Sequence, residues 1–581
     1  MRVLARLAQL LTVQPSGAAT FGGGVPTRAA VIYVDPCTAD THDMRLQCHE
    51  DACADHGVEF VTVWSQEFAG MLLQKSDTTE EEAAAYRAKL APTPGCEAAW
   101  LEEALPECDE VLGVCCGSDA GLACAERLQH ALAPARSNGM LRARRDKYEM
   151  HETLRAAGLD AARQAVATEW AEAERFLHGL PSPLRAVVKP RRGQASLRVG
   201  LARSDDEARR LFERVLELPA SLDEDADASS VLLQEYLEGE EWVVDTVSRG
   251  GEHKVLALWR YDKGEANGAP FVYFGIEPTA AAGERALAVC GYAERALDAL
   301  GWRWGPVHME VMWVEGRGAV LVEANAGRLN GEEFKLLCDI VYGVSKYDAH
   351  FAWLLGADEP NNEAWDAIPA RPPARLRCAG RLVKLVAPAA GTLRAVHHVE
   401  EVEALPSFAA LRLASEVGEE MAQTVDLNSC AGDVVLLSAD AAAVEADYQT
   451  LRQLQPTMFD VDEAAAAGGE GGVPAQAPLA PAQKLQIETA ETLRIARAVA
   501  DNLPPAERLS VVARFPLVDG EFTLAVARGS AAARIGTESP RALGDALLRV
   551  LRTARHEEDA IAGCEALLHA VEGSGDDEEE G

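Results

Sequence analysis

Two apolar segments near the middle of the chain, residues 307–314 and 319–324, carry acids where a buried strand ordinarily carries none. They are joined by the turn Gly316 to Gly318. Side chains alternate along a strand, so His308 and Glu310 share one face of the first segment, and Glu323 and Asn325 share one face of its extension in the second. Pairing the two strands brings Glu310, Glu323 and Asn325 together. Their neighbours Val311, Leu321 and Val322 are apolar, and carboxylates turned inward among apolar groups are costly without a cation. Three hard oxygen donors suit one or two Mg2+ ions, or Mn2+ in their place. The competing arrangement is a pair of carboxylates held only by salt bridges.

Magnesium-bound triphosphate also requires cations along the phosphates, a hinge for the adenine edge and an acceptor for the ribose hydroxyls. Lys147 follows a run of arginines at the head of a helix that begins near residue 141, and Lys189 closes the apolar strand Ala186-Val-Val-Lys189. Either lysine alone reads equally well as a snorkelling surface residue. The turn Arg191-Arg-Gly-Gln-Ala-Ser196 is small enough to lay backbone N–H groups over phosphate oxygens. In Leu232-Leu-Gln-Glu-Tyr-Leu-Glu-Gly-Glu-Glu-Trp-Val-Val-Asp245, the stretch Gln234, Glu235, Tyr236, Leu237 can offer backbone groups to adenine, and Glu241 can reach ribose. Arg260 and Lys263 follow Trp259, ahead of the acidic strand pair; they read as phosphate and substrate contacts or as exposed loop cations.

The 581 residues exceed what one hydrophobic core usually organises, so three or four compact units are expected. Residues 1–28 hold arginines and no acids, which suits either an organellar transit peptide or an irregular leader before the first strand. Residues 29–135 alternate strand, turn and helix, the pattern of a doubly wound parallel domain. The turn Gly117-Ser-Asp-Ala-Gly121 in that unit serves a strand-to-helix connection and is assigned no nucleotide. Residues 136–360 hold the motifs above, 361–460 return to β-rich sequence, and 461–484 form an Ala-, Gly- and Pro-dense linker. A small α+β module is expected over 485–572, with an acidic tail at 573–581.

The chain has 55 Lys and Arg against 92 Asp and Glu, a net charge of −37, which argues against a sequence-independent grip on nucleic acid. No apolar run approaches the roughly 20 residues of a membrane-spanning helix. The 13 cysteines form none of the paired short-spacing clusters of a structural zinc site, so free thiols in a reducing compartment are expected.

The order of these motifs, clearest in VVKP, LLQEYLEGEEWVVDTV, and HMEV followed by VLVEAN, resembles the ATP-grasp superfamily. Within it the resemblance is to the carboxylate–amine ligases, such as the L-amino-acid and D-alanine ligases, and covers residues 29 to 456. It implies an α/β and α+β architecture: a doubly wound N-terminal domain, a two-lobed core with ATP between the lobes, and a β-rich cap. It further implies that Lys147 and Lys189 contact ATP phosphates, that Glu235 and Leu237 frame adenine, that Glu241 binds ribose, and that Glu310, Glu323 and Asn325 hold magnesium. The implied reaction joins a small-molecule carboxylate to an amine through an acyl phosphate. The implied protein acts in the cytoplasm, or in an organelle if residues 1–28 are a transit peptide, alone or as a homo-oligomer, with no nucleic acid or membrane partner. The family places an Arg two residues after the Asn, whereas here Asn325-Ala-Gly-Arg328 brings it one residue late. Two other readings compete: a MgATP-binding sensor or scaffold without catalysis, and a carboxylase-like enzyme, for which the chain lacks a Met-Lys-Met biotin-carrier motif.

Overall fold

The computed structural model describes residues 28–36, 44–73, 80–118, 120–193, 198–217, 230–356 and 362–462. The expected leader, linker, C-terminal module and acidic tail lie outside the described residues, apart from their first or last few positions. The strands in chain order are β1 Ala29–Val34, β2 Glu59–Val63, β3 Glu110–Cys116, β4 Gln164–Ala167, β5 Ala186–Pro190, β6 Gly200–Ala202, β7 Val231–Glu235, β8 Glu240–Arg249 and β9 Glu252–Ala266. They continue with β10 Ala269–Thr279, β11 Gly305–Val314, β12 Gly318–Ala326, β13 Ala379–Leu385, β14 Gly391–Val396, β15 Phe408–Leu413, β16 Glu420–Met421, β17 Gly432–Ser438 and β18 Phe459–Asp462.

The first unit is the parallel sheet that strand–helix alternation implies, ordered β2-β1-β3. A second, small antiparallel sheet, β4-β7-β5-β6, carries the helices Trp170–Leu177 and Asp205–Leu216 on its apolar side. The third sheet has eight strands, β12-β11-β8-β9-β10-β13-β17-β15. A boundary near residue 360 therefore does not divide one sheet from another. Edge residues Gly275 and Ile276 of β10 pair with Val383 and Leu382 of β13, so the β-rich region extends the sheet of the core, with β16-β14-β18 as a separate flap. The segment after Trp259 also proves to be strand: β9 runs 15 residues, through Arg260 and Lys263.

Alternation, reset by a bulge in β12 between Leu321 and Glu323, divides the large sheet by chemistry. Val307, Met309 and Val311 of β11 pack with Leu321 of β12 against the helix Gly283–Ala299, which presents Ala286, Val289, Cys290, Ala293 and Leu297 at helical spacing. Gly301, at φ +61°, ends the chain's run out of this helix in a conformation other residues avoid. The opposite face carries His308, Glu310, Glu323 and Asn325.

A buried carboxylate fastens that polar face. Asp245 of β8 accepts from Lys346 Nζ at 2.9 Å and from His308 Nδ1 at 2.9 Å through Oδ1. Its Oδ2 accepts from the indole of Trp259 at 2.7 Å and from Asn330 Nδ2 at 2.6 Å. Burial alone would favour the neutral acid, but Lys346 and His308 more than offset it and hold the carboxyl well below its usual range. Lys346 opens the helix Lys346–Leu355, on whose other side the N-terminal sheet docks through Val31, Tyr33, Leu112, Ala352 and Trp353. No helix among the described residues is long and apolar enough to cross a membrane.

Removing Asp245 strands a buried ammonium, so Asp245→Ala is expected to destabilise the fold by about 3–5 kcal/mol in chemical denaturation. A loss below about 1 kcal/mol would show that the node is dispensable.

Candidate active site

Register decides what the sequence left to inference. Glu310 lies directly across from Glu323, and His308 across from Asn325, in the β11–β12 pair. The three expected metal ligands are thus brought together, and Asn325 Nδ2 donates to Glu323 Oε1 at 3.0 Å. The two carboxylates are not equivalent. Glu323 meets Lys147 Nζ at 3.0 Å; although burial opposes its charge, Lys147 and Lys189 hold its carboxyl below the ordinary range. Glu310 is raised by burial, with Glu241 and Glu323 adding repulsion that Lys263, 3.7 Å away, only partly relieves. Lysines thus answer the charge of Glu323, while burial and the neighbouring carboxylates favour the neutral acid at Glu310.

Lys147 begins the helix Lys147–Ala156, whose N-cap, Asp146, accepts from the N–H groups of Tyr148 and Glu149 and pairs with Arg191 at 2.7 Å. Lys147 Nζ also donates to Gly193 O at 2.8 Å, which ties the helix to the turn after β5. Lys189, buried on β5, has its ammonium depressed to about 8 by burial and by Lys147, against the pull of Glu323, Glu310 and Glu241. Both lysines therefore converge on the acids of β11 and β12. Ser196 lies outside the described residues.

The hinge is partly engaged by its own sheet. Glu235 N–H donates to Arg163 O at 2.9 Å and Tyr236 N–H to Arg185 O at 3.3 Å, while the Gln234 side chain donates to Gln164. The Glu235 carboxylate accepts from Arg163 N–H and from Arg317. Leu237 lies two residues past the end of β7. Glu241 lies beside Lys263, with Nζ to Oε1 at 2.5 Å. Lys263 is wedged over the rings of Tyr261 and Tyr273, 4.3 and 4.2 Å from their centroids, and its charge is held well above the usual range: Glu241 and Glu310 outweigh burial.

Arg260 stands on the other face of β9, paired with Glu277 at 2.7 Å, so the structure does not bring it to the acids. Alternation accounts for the split, since residue 260 faces away from 261 and 263. Arg328 follows Gly327, which sits at φ +76° and donates its N–H to Pro306 O. The charge of Arg328 is felt by Lys346 beside the Asp245 node. The displaced Arg therefore stays near the polar face.

Sequence reasoning missed the roles of Asp245, Asn330, Lys346, Tyr261 and Tyr273. A lone acid inside the apolar run of β8, four residues from Glu241 and on its face, was the available clue to Asp245. Nothing local marks Lys346, which arrives from 101 residues away.

Comparison with known proteins places this architecture. A model of the ATP-grasp domain matches residues 182–335, and a model of L-amino acid ligase C-terminal domain 2 matches residues 384–454. The chain thus contains an ATP-grasp domain. More particularly, residues 384–454, from the end of β13 through β17 and the helix Ala441–Leu454, are similar to the C-terminal domain of the L-amino acid ligases. Dapdiamide A synthase of Enterobacter agglomerans is 29% identical over 230 residues, which cover 38% of this chain and 52% of that protein. An uncharacterized protein y4rH of Sinorhizobium fredii is 26% identical over 310 residues, 52% of this chain and 59% of that one. The chain thus spans little more than half the length of the curated relatives it matches. The crystal structure of L-amino acid ligase from Bacillus licheniformis superposes with a TM-score of 0.54 at 16% identity, covering 75% of this chain and 99% of that one, and shows the shared fold.

Lys189 binds an anion only as the ammonium. ATP affinity is therefore expected to fall as pH rises through about 8, less steeply in Lys189→Met, whose affinity at neutral pH is already weaker by about tenfold. Equal affinities and parallel pH profiles in titration calorimetry would take Lys189 out of the site.

Proposed function

We infer that the chain is an ATP-dependent carboxylate–amine ligase that forms an amide or peptide bond by way of an acyl phosphate. One observation carries this reading: Glu310 and Glu323 oppose each other in register beside Asn325, with Lys147 next to Glu323. That donor set is all oxygen, with one carboxyl raised chiefly by burial and further by its acidic neighbours, and it fits magnesium. Glu310, Glu323 and Asn325 hold the metal in this reading, and bound magnesium supplies charge neutralisation at the phosphates.

The protein's own groups do the rest. Lys147 and Lys189 hold triphosphate oxygens, and the hinge at Leu237 meets the adenine edge. Lys263 fixes the Glu241 carboxylate for ribose while limiting repulsion between Glu241 and Glu310. Arg328, near the polar face, stabilises negative charge developing on the transferring phosphoryl group or at the carbonyl under attack. His308 and the tyrosines beside it line the same face, where the carboxylate and the amine meet. The ligase-type C-terminal domain and the similarity to dapdiamide A synthase support amide formation over carboxylation.

Glu323→Gln keeps the volume and a hydrogen-bonding group while removing the charge. It is expected to lower amine-dependent ADP release by at least about 100-fold, with a melting temperature within a few degrees of the parent. A variant that keeps parental turnover would dismiss the metal site, and one that is unfolded without nucleotide would make Glu323 a structural partner of Lys147 instead.

A further inference from the structure

Three side chains from distant parts of the chain meet away from the nucleotide face. His49 lies on the helix Met44–Asp55, Cys115 on β3, and His350 on the helix Lys346–Leu355. All three are buried, and one ligand atom from each lies within 4.8 Å of the other two. His49 Nε2 and His350 Nε2 are 2.8 Å apart, and Cys115 Sγ is 3.6 Å from His350 Nε2. The surroundings are Tyr33, Phe351 and Trp353, aromatic and largely apolar. A cavity of about 50 Å³ adjoins the cluster, lined also by Gln129 and Asn138.

We propose that His49, Cys115 and His350 form a transition-metal site, taking Zn2+ or a cation of similar softness, with water from the adjoining cavity as fourth ligand. Two imidazoles and a thiolate are a donor set that zinc favours. Tetrahedral zinc with ordinary bond lengths sets N···N near 3.3 Å and N···S near 3.6 Å (roughly). The Cys115–His350 distance already agrees, the two imidazoles need to move apart by about half an ångström, and the ligand atoms of His49 and Cys115 lie within 4.8 Å. Burial raises the Cys115 thiol, and the buried Cys53 lies one helical turn beyond His49.

The metal-free geometry names the group that opposes binding. Trp353 Nε1–H points at His350 Nδ1 at 3.2 Å, so the neutral ring carries its proton on Nε2 and donates it to His49. Metal binding replaces that proton at Nε2. The His350 proton moves to Nδ1, the Cys115 thiol releases one proton to solvent, and the indole must turn aside. Trp353 is therefore a positioning residue that weakens the site. Bound metal would staple the N-terminal sheet to the helix that begins with Lys346, and so to the Asp245 node.

The full chain, stripped with chelator and titrated with Co2+, should develop a thiolate charge-transfer band and tetrahedral d–d bands at one equivalent, displaced by Zn2+. Cys115→Ser should lose the charge-transfer band while keeping its circular dichroism spectrum, and His49→Ala should weaken binding by about 10- to 100-fold. Trp353→Phe, lacking the opposing N–H, should bind about tenfold tighter than the parent. The proposal is overturned if folded parent and Trp353→Phe both lack the band, or if Cys115→Ser retains it, which would place the metal on other cysteines.

Discussion

The opposition of Glu310 and Glu323 across one antiparallel pair is the constraint to which the rest of the active face answers. Antiparallel register puts directly opposed side chains on the same face within a few ångströms, so two carboxylates there repel unless positive charge intervenes. The protein supplies it from three directions: Lys147 from a helix terminus, Lys189 from the small sheet and Lys263 from β9. Two of these belong to the lobe around β4 to β7 and one to the large sheet. The electrostatic balance of the acids therefore depends on how the two lobes meet, and it is least complete at Glu310.

Behind this face the Asp245 node performs a different task. One carboxylate takes four donors from β9, β11, the segment after β12 and the helix at Lys346. A buried ion pair contributes little net stability when compared with a well-packed apolar substitute, but breaking it is costly. Its value is that it fixes relative positions. His308 is oriented through Nδ1, with Nε2 left toward Tyr261 at 3.4 Å. Asn330 is held on both sides of its amide, by Asp245 and by Lys346, which restrains the stretch carrying Arg328. The same helix packs on the N-terminal sheet, so the docking of that unit and the geometry of the polar face share a support.

Much of this was legible in the sequence because it is local. Alternation paired His308 with Glu310 and Glu323 with Asn325 along their strands, but the glycine turn alone would set Glu310 opposite Val322; a bulge in β12 between Leu321 and Glu323, which no local pattern reveals, brings the two acids face to face. The strand ending at Lys189 and the strand–turn–strand around Leu237 follow from the same periodicity. The features that were not legible depend on distance or on face. Arg260 and Lys263 are three residues apart, and only strand assignment through Trp259 separates the one that meets the acids from the one that meets Glu277. Lys346, His49 and His350 meet partners 101 or more residues away, a relation that no spacing within a segment reveals. The continuation of the large sheet past residue 360 was likewise not legible, because β13 joins β10 through only two register pairs far apart in sequence.

The central claim is that the carboxylate substrate attacks the terminal phosphoryl group of ATP before the amine attacks the carbonyl. It is tested most directly by following oxygen. With a carboxylate substrate labelled with 18O in both oxygens, turnover should deliver one 18O atom into each inorganic phosphate released, alongside ADP, and leave one in the amide. Phosphate free of label, or release of AMP and pyrophosphate in place of ADP, would contradict acyl-phosphate chemistry at this site.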